Sequence, residues 1–195
     1  MYCKFIKRTL DVVISICCVV IFIPIWIIIP ILIKLDDGGS IFYLGPRIGK
    51  NCNRFLMYKF RTMKENNIDI RNADGSTYNA GDDPRVTKIG RALRETSIDE
   101  LPQIFNVLKG EMSLIGPRAS VWDALDSYQE DEMDKMKVRP GISGYTQAYY
   151  RNSISLREKR LKDAWYANHV SFGMDIKIFF KTIITVLKRE NVYTN

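Results

Sequence analysis

The stretch RETSIDELPQIFNVLKGEMSLIGPR, residues 94–118, decides how the middle of this chain folds. It places an acidic pair, Asp99 and Glu100, at the start of a segment, residues 101–109, whose apolar side chains recur with helical spacing. Gly110 follows this segment and is typical of the residue that ends a helix. Arginines begin and end the stretch. The question is therefore whether the acidic pair caps a helix or performs chemistry.

Helix capping is one interpretation of the acidic pair. Residues 97–100, SIDE, match the capping box, in which a serine precedes the helix and a glutamate three residues later hydrogen-bonds back to it. Pro102 would then lie inside the helix, where its missing N–H breaks a hydrogen bond, whereas a cap at Asp99 would place the proline in the first turn. From the spacing alone, capping and catalysis are equally compatible with the sequence.

Phosphoryl transfer is the second interpretation. A carboxylate can attack phosphorus and form an acyl phosphate. Two adjacent carboxylates can also hold Mg²⁺, which needs only one or two protein ligands besides phosphate oxygens. Arginine binds phosphate oxygens through two parallel hydrogen bonds, and Arg94, Arg118 and Arg139 each flank a predicted break, where side chains can converge. On this interpretation Asp99 and Glu100 are catalytic residues and metal ligands.

A long apolar segment lies near the start of the chain. Residues 12–33 contain no charged side chain and consist largely of isoleucine and valine. A helix of this length extends over roughly 33 Å at about 1.5 Å per residue, which is enough to cross the hydrocarbon core of a membrane. No small-residue cleavage site follows it, which favours a membrane segment over a cleaved signal peptide. The sequence therefore predicts membrane attachment.

The residues around this segment indicate its path. Basic residues concentrate on the cytosolic side of a membrane, and here they flank both ends: Lys4, Lys7 and Arg8 before the segment, Lys34, Arg47 and Lys50 after it. Pro24, near the middle, breaks a helix because it has no N–H to donate. We therefore expect the chain to turn back within the bilayer, with a kinked spanning helix as the alternative. Since lipid offers no hydrogen bonds, Ser15, another backbone group or a water has to satisfy the carbonyl freed at the break.

The net charge of +7 limits the class of partner. Nucleic acid, an anionic membrane and a phosphorylated substrate would each fit such an excess of positive charge. The basic residues are scattered and form no single arm, which together with the membrane segment favours lipid and phosphate partners and no nucleic acid. The four cysteines form no C-x-x-C pair, so the sequence indicates neither a zinc site nor a disulfide scaffold.

The remainder of the chain predicts a helix-dominated α+β fold. Residues 41–44 and 54–60 have the composition of strands on either side of a turn region and predict a short β-hairpin. Residues 64–87 are polar and predict a loop. The predicted division is a re-entrant membrane helix in residues 1–35 and a catalytic domain in residues 36–195.

Three further helices are predicted in the second half of the chain. They cover residues 121–138, 156–167 and 174–189, the first of them highly charged on one side. The last helix is amphipathic. Its apolar face could lie in the membrane interface or pack against a core, and the sequence leaves both alternatives open.

Six short motifs occur in order along the chain: KFRTM at residues 59–63, DPR at 83–85, LR at 93–94, DELPQ at 99–103, IGPR at 115–118 and RPGISG at 139–144. With them the chain resembles the bacterial sugar transferases that start glycan assembly on a polyprenol phosphate, the small monotopic phosphoglycosyl transferases. The likeness covers nearly the whole chain. It includes the membrane segment and the sequence KR-x-x-D at residues 7–11.

The resemblance implies transfer of a phosphosugar from a UDP-sugar to undecaprenyl phosphate, with release of UMP and dependence on Mg²⁺, at the cytosolic face of the bacterial inner membrane. It implies that Asp99 attacks the β-phosphate and holds the sugar phosphate covalently, while Glu100 helps to bind magnesium. Membrane lipid and downstream glycosyltransferases are further expected partners. It also implies a set of substrate-binding residues: Lys59, Arg61, Arg94, Arg118, Arg139 and Gln147.

The chain departs from the family pattern at three places. Ile23 stands where the family usually has a serine before the mid-membrane proline, and Ala119 stands where a second proline is common. Gln147 is followed by AYYR, residues 148–151, in place of Asn-Gly-Arg, so the resemblance does not identify the sugar. A membrane-anchored adaptor for a glycan-assembly complex, without catalysis, is the alternative function.

Overall fold

The computed structural model describes residues 2–65, 68, 70, 78, 83–151 and 153–188. Within them the fold is α+β and dominated by helices, as predicted, with two small sheets. After a π-helical turn at Tyr2–Ile6, the elements are α1 (Lys7–Ile21), α2 (Ile23–Asp37), β1 (Phe42–Ile48), β2 (Arg54–Phe60), α3 (Lys88–Thr96), α4 (Gln103–Lys109), β3 (Ser113–Ile115), β4 (Gly141–Ser143), α5 (Tyr145–Tyr149), α6 (Leu156–Asn168) and α7 (Phe172–Leu187). Segments of 3₁₀ helix cover Lys50–Cys52, Ile98–Glu100, Trp122–Ser127 and Glu130–Lys137.

The predicted hairpin is confirmed. Strands β1 and β2 pair antiparallel, from Phe42 opposite Phe60 to Ile48 opposite Arg54. β1 continues beyond its predicted end and includes Pro46. A two-stranded sheet tolerates this proline because one edge of each strand needs no hydrogen-bond donor. The hairpin is therefore longer than the sequence predicts.

The second sheet has no counterpart in the sequence prediction. β3 and β4 run parallel, with Ser113 opposite Gly141 and Ile115 opposite Ser143. A Cβ atom on Gly141 would lie 2.1 Å from the backbone nitrogen of Gly116, so only glycine permits this approach. Strands of three residues are too short to show the alternation by which a strand is recognised.

The helix predicted over residues 121–138 is wrong. Two 3₁₀ segments take its place, Trp122–Ser127 and Glu130–Lys137, and the backbone between them is extended. Glu132 is 1% exposed and forms an ion pair with Arg157 in α6 at 2.8 Å. This ion pair between residues distant in sequence leaves no periodic signal, and it joins the second 3₁₀ segment to α6.

The other two helices of the second half are confirmed as α6 and α7. Each follows a serine whose side chain accepts a hydrogen bond from the first turn. Arg189, at the predicted end of the last helix, and most of the polar loop predicted over residues 64–87 lie outside the described residues.

Helix α7 has two apolar faces. Ile178 is fully buried in a core with Ile115, Ala148 and Tyr166. A second face exposes large apolar side chains: Ile176, Phe179, Phe180, Ile183 and Ile184. Helix α7 therefore packs against a core and also presents an apolar surface suited to a membrane interface.

The apolar segment forms two helices. Among the described residues no single helix is long and apolar enough to cross a membrane, whereas α1 and α2 together have the length and composition but are bent by 63°. The break lies at Phe22, directly between the two helices. Pro24 lies in the first turn of α2, where no N–H is needed. A break beside Pro24 is thus confirmed, and its path through a bilayer stays a prediction.

A side chain satisfies the backbone at this break. The indole Nε1 of Trp26 donates a hydrogen bond to the carbonyl of Val19 at 3.1 Å, across the break. Ser15, one of the groups expected in this role, does not serve it, since its buried hydroxyl has no partner in the described part of the chain. A helical serine reaches carbonyls of the preceding turn, and Val19 lies in the following one.

The start of α1 is tied to the globular part of the protein. Arg8 donates to the carbonyls of Val107 at 2.6 Å and Leu108 at 3.0 Å, at the C-terminal end of α4. Carbonyls in the last turn of a helix lack the regular helical partner, and that of Val107 also accepts a hydrogen bond from the N–H of Gly110 at 2.9 Å. Asp11 is buried and accepts a hydrogen bond from the N–H of Leu114 in β3 at 3.0 Å. α1 is thereby fixed to α4 and β3.

The C-terminal end of α2 also contacts the globular part of the protein. Asp36 accepts a hydrogen bond from the N–H of Ile89, in the first turn of α3, at 3.0 Å. Asp37 forms an ion pair with Arg61 through two hydrogen bonds. Side chains of α2 also share a core with the end of β2 and with α3: Ile29, Ile33, Phe60 and Leu93. Both ends of the bent helix pair therefore contact one body.

We predict that Trp26→Phe lowers the free energy of unfolding by about 1–2 kcal/mol, because the Val19 carbonyl loses its donor while most of the ring packing remains. Chemical denaturation in lipid nanodiscs would measure the change. Trp165→Phe is the matched control, since the half-exposed Trp165 indole N–H makes no hydrogen bond among the described residues. Equal stability of the two variants would contradict the role given to Trp26.

Candidate active site

The acidic pair lies in a tight turn between α3 and α4. Ile98–Glu100 form one turn of 3₁₀ helix, and Ser97 before it takes a left-handed conformation with φ 58°, which redirects the chain. Neither Ser97 nor Asp99 makes a capping hydrogen bond, and α4 begins only at Gln103, after Pro102. Both capping interpretations are therefore wrong. The acidic side chains are available for another role.

Apolar neighbours hold this turn in place. Ile98 and Leu101, on either side of the acidic pair, pack against the core that contains Phe60 and Leu93. Asp99 between them is 7% exposed. The two carboxylates are thus presented by a turn that is anchored on both sides.

Asn106 aligns strand β2 with α4. It is fully buried, accepts a hydrogen bond from the N–H of Tyr58 at 2.9 Å and donates one to the carbonyl of Leu56 at 2.7 Å. The side chain therefore bonds β2 as a neighbouring strand would, and it sets Lys59 beside the acidic pair. Asn106 was not predicted as a site residue. The available signal was a polar amide between two apolar residues, Phe105 and Val107.

Lys59 contacts both members of the acidic pair. Its Nζ lies 2.6 Å from Glu100 Oε1 and 3.7 Å from Asp99 Oδ2. Arg118 approaches from the segment after β3, with its guanidinium 3.7 Å from Glu100 Oε1 and its side chain 56% exposed. The structure therefore brings together four of the predicted site residues: Asp99, Glu100, Lys59 and Arg118.

The two carboxyl groups differ in acidity. Burial raises the pKa of Asp99 to about 6, against the opposing charge of Lys59. Burial acts on Glu100 in the same direction, but the charges of Lys59 and Arg118 outweigh it and lower the pKa of Glu100 to about 2. Adjacent groups whose pKa values are pushed apart commonly take different roles. At neutral pH both are ionised, and Asp99 is the more basic.

Two more arginines act on the pair. Arg94, in the last turn of α3, donates to the hydroxyl of Thr62 at 3.0 Å, and its charge helps to lower the pKa of Asp99. Arg47 in β1 similarly helps to lower the pKa of Glu100. Arg47 was not predicted at this site, because the predicted strand ends at residue 44 and β1 continues to Ile48. The acidic turn is therefore surrounded by cations from several elements.

Three predicted residues lie in other contacts. Arg61 is buried and binds Asp37 and the carbonyl of Ser40. Arg139 donates to the carbonyl of Gly110 at 2.7 Å, and Gln147 donates to the carbonyl of Ile142 at 3.0 Å. No contact among the described residues joins these three to the acidic pair, and their binding of substrate stays a prediction.

The donor set bears on the magnesium expected here. The described residues contain no group of three or more His, Cys, Asp or Glu side chains that could hold a metal ion. Asp99 and Glu100 nonetheless fit Mg²⁺, which commonly takes one or two carboxylates and completes its shell with water and substrate phosphate. The fit requires that Lys59 shares or leaves these oxygens.

The sequence of the chain is similar to those of known proteins. The family model for bacterial sugar transferases matches residues 2–189. The undecaprenyl-phosphate galactose phosphotransferase of Salmonella typhimurium is 37% identical over 201 residues, 97% of this chain and 42% of that protein. The exopolysaccharide production protein ExoY of Rhizobium meliloti is 37% identical over 198 residues, 96% of this chain and 88% of that protein.

A third relative is named for N-acetylgalactosamine. The UDP-N-acetylgalactosamine-undecaprenyl-phosphate N-acetylgalactosaminephosphotransferase of Aeromonas hydrophila is 38% identical over 189 residues, 94% of this chain and 44% of that protein. This chain therefore spans less than half the length of the Salmonella and Aeromonas proteins, and most of the length of ExoY.

Proposed function

The chain belongs to the bacterial sugar transferase family, and from this premise we propose that it transfers a sugar phosphate from a UDP-sugar to undecaprenyl phosphate and releases UMP. One observation carries the proposal. The acidic pair caps no helix and lies instead in an anchored turn, in contact with Lys59 and near Arg118. The names of the Salmonella and Aeromonas relatives support the substrates, since both contain undecaprenyl phosphate and one contains a UDP-sugar.

Asp99 is the nucleophile in this proposal. A carboxylate oxygen of Asp99 attacks the β-phosphorus of the UDP-sugar, the bond from that phosphorus to the bridging oxygen breaks, and UMP departs with the electron pair. The sugar phosphate is then bound to Asp99 as an acyl phosphate. A phosphate oxygen of undecaprenyl phosphate attacks the same phosphorus, and Asp99 leaves as a carboxylate. The product carries the sugar on a diphosphate.

The surrounding cations neutralise phosphate charge in both steps. Phosphoryl transfer depends chiefly on positioning and on charge neutralisation. Lys59, Arg94 and Arg118 supply three positive side chains near the acidic pair. Asp99 and Glu100 are the residues that would hold Mg²⁺, which when bound adds neutralisation of the phosphate oxygens.

The proposed location is the cytosolic face of the bacterial inner membrane, with α1 and α2 as a re-entrant pair. Contacts at both ends of the pair support this path. Arg8 near the start of α1 bonds α4, and Asp36 near the end of α2 bonds α3. A pair that crossed the bilayer would have to place one of these ends on the far side, away from the globular part.

We predict that Asp99→Asn abolishes UMP release, by about 10³-fold or more, because an amide cannot attack phosphorus. The assay uses the full chain in nanodiscs with undecaprenyl phosphate, Mg²⁺ and a panel of UDP-sugars. Asp123→Asn, at an exposed aspartate, is the control and should keep full activity. The wild type with a UDP-sugar alone should gain the mass of one sugar phosphate. Undiminished UMP release by Asp99→Asn would refute the assignment of the nucleophile.

The pH dependence of UMP release should follow the pKa of Asp99. The rate should rise with pH through about 6, because only the carboxylate attacks phosphorus. Lys59→Met removes a positive charge 3.7 Å from Asp99 Oδ2 and leaves burial less opposed, so the rising limb of its residual activity should move to higher pH by about one unit or more. Lys109→Met removes the charge of a lysine that does not contact Asp99 or Glu100. The rising limb of this variant should therefore stay at the same pH. A limb that stays fixed in Lys59→Met would contradict the electrostatic argument.

The re-entrant path predicts that the N-terminus and the catalytic part share one side of the membrane. A cysteine at position 2, in a chain without its native cysteines, should resist a membrane-impermeant thiol reagent applied to intact cells and react after lysis. A spanning helix would instead expose position 2 to the outside. Strong labelling of intact cells would therefore exclude the re-entrant path.

A further inference from the structure

We propose that Lys59 occupies the place of a divalent cation in the substrate-free protein, and that metal binding requires its ammonium to leave the acidic pair. This inference rests on the proposed function, because it concerns the metal of that reaction. Its consequence is that the protein binds metal weakly alone and more strongly once an acceptor for the ammonium, the substrate phosphate, is present.

The geometry supports competition for the same oxygens. The Lys59 ammonium lies 2.6 Å from Glu100 Oε1 and 3.7 Å from Asp99 Oδ2, and all three side chains are largely buried. Mg²⁺ binds oxygen at about 2.1 Å, so a metal on the Glu100 oxygen that Lys59 contacts would lie within about 5 Å of the ammonium. Two cations at that separation in a partly buried site repel strongly. The described residues offer no alternative group of three metal ligands.

The side-chain chemistry explains why a lysine suits this position. Lysine carries a compact charge on a flexible four-carbon stem, so its ammonium can move while the backbone of β2 stays fixed. Asn106 holds that backbone at Tyr58, directly before Lys59. Arg118 lies farther from Glu100, at 3.7 Å, and its side chain is exposed. It can therefore move aside without leaving the two carboxylates uncompensated.

Displacement couples the metal to the substrate. An ammonium that leaves the acidic pair needs a new anion, and the phosphates of a UDP-sugar are the anions that the proposed reaction brings to this site. Metal binding and phosphate binding then stabilise each other, and each raises the affinity of the other by the same factor. Premature capture of a cation by the acidic pair is disfavoured in the absence of substrate.

The experiment measures Mn²⁺ binding to the substrate-free full chain in nanodiscs, by the loss of the free Mn²⁺ signal in electron paramagnetic resonance. Lys59→Met keeps an unbranched side chain, one atom shorter than that of lysine, and removes the competing charge. We expect it to bind Mn²⁺ at least about tenfold more tightly than the wild type, which corresponds to about 1.4 kcal/mol. Lys59→Gln provides a second neutral variant, and thermal unfolding of each variant reports whether it is folded.

Two controls separate competition at the pair from a general change in charge. Lys59→Arg retains the charge and should bind Mn²⁺ as weakly as the wild type. Lys109→Met removes the charge of a second lysine, which contacts the ring of Tyr58, the neighbour of Lys59. This variant should change the Mn²⁺ affinity by less than about twofold.

Equal Mn²⁺ affinity in the wild type and both neutral variants would overturn the proposal, and so would the absence of binding in all of them. Tighter binding in the Lys109 variant as well would also overturn it. These results leave UMP release by the wild type untouched. If the wild type releases no UMP with any UDP-sugar, the proposed function fails instead, whatever the Mn²⁺ affinities are.

Discussion

The burial of two adjacent carboxylates is the constraint on which the rest of this structure depends. A buried charge is costly unless a partner of opposite sign compensates it. Here the compensation comes from several parts of the chain: Lys59 in β2, Arg47 in β1, Arg94 in α3 and Arg118 after β3. The hairpin and the helix-turn-helix around the acidic pair must therefore keep a fixed relation, and the buried Asn106 fixes it by bonding β2 directly.

The bent helix pair, α1 and α2, is part of the arrangement of elements around Asp99 and Glu100. Trp26 in α2 contacts the rings of Phe60 in β2 and Phe105 in α4, while its indole N–H satisfies the broken end of α1. Arg8 holds the opposite end of α4 by its carbonyls. The turn that presents Asp99 and Glu100 therefore lies between elements that contact both α1 and α2. On the re-entrant path proposed above, this arrangement would bring the acidic pair close to the membrane that contains the proposed polyprenol phosphate substrate.

The sequence predicts those features that depend on local pattern. The hairpin, helices α6 and α7, the end of α4 at Gly110 and the break beside Pro24 all follow from periodicity or from a residue that cannot continue a helix. The features it misses depend on contacts distant in sequence. Glu132, in a region predicted as one continuous helix, joins a 3₁₀ segment to α6 through its ion pair with Arg157, and Trp26 takes the role expected of Ser15, the backbone or a water. Arg47, whose charge acts on Glu100, lies in the part of β1 beyond the predicted end of that strand.

Asp99 and Glu100 differ in pKa because the surrounding cations are shared unequally between them. Lys59 bonds Glu100 directly and lies more than an ångström farther from Asp99, and Arg118 also points to Glu100. Glu100 is therefore ionised and engaged, which makes it a poor nucleophile. Asp99 is more deeply buried, is less fully paired and keeps the higher pKa. Of the two carboxylates Asp99 has the longer contact with Lys59, 3.7 Å against 2.6 Å, so in the proposed reaction it is the more available to donate an electron pair to phosphorus. The asymmetry of the pair thus supports Asp99 as the nucleophile of the proposed reaction, on grounds separate from the resemblance.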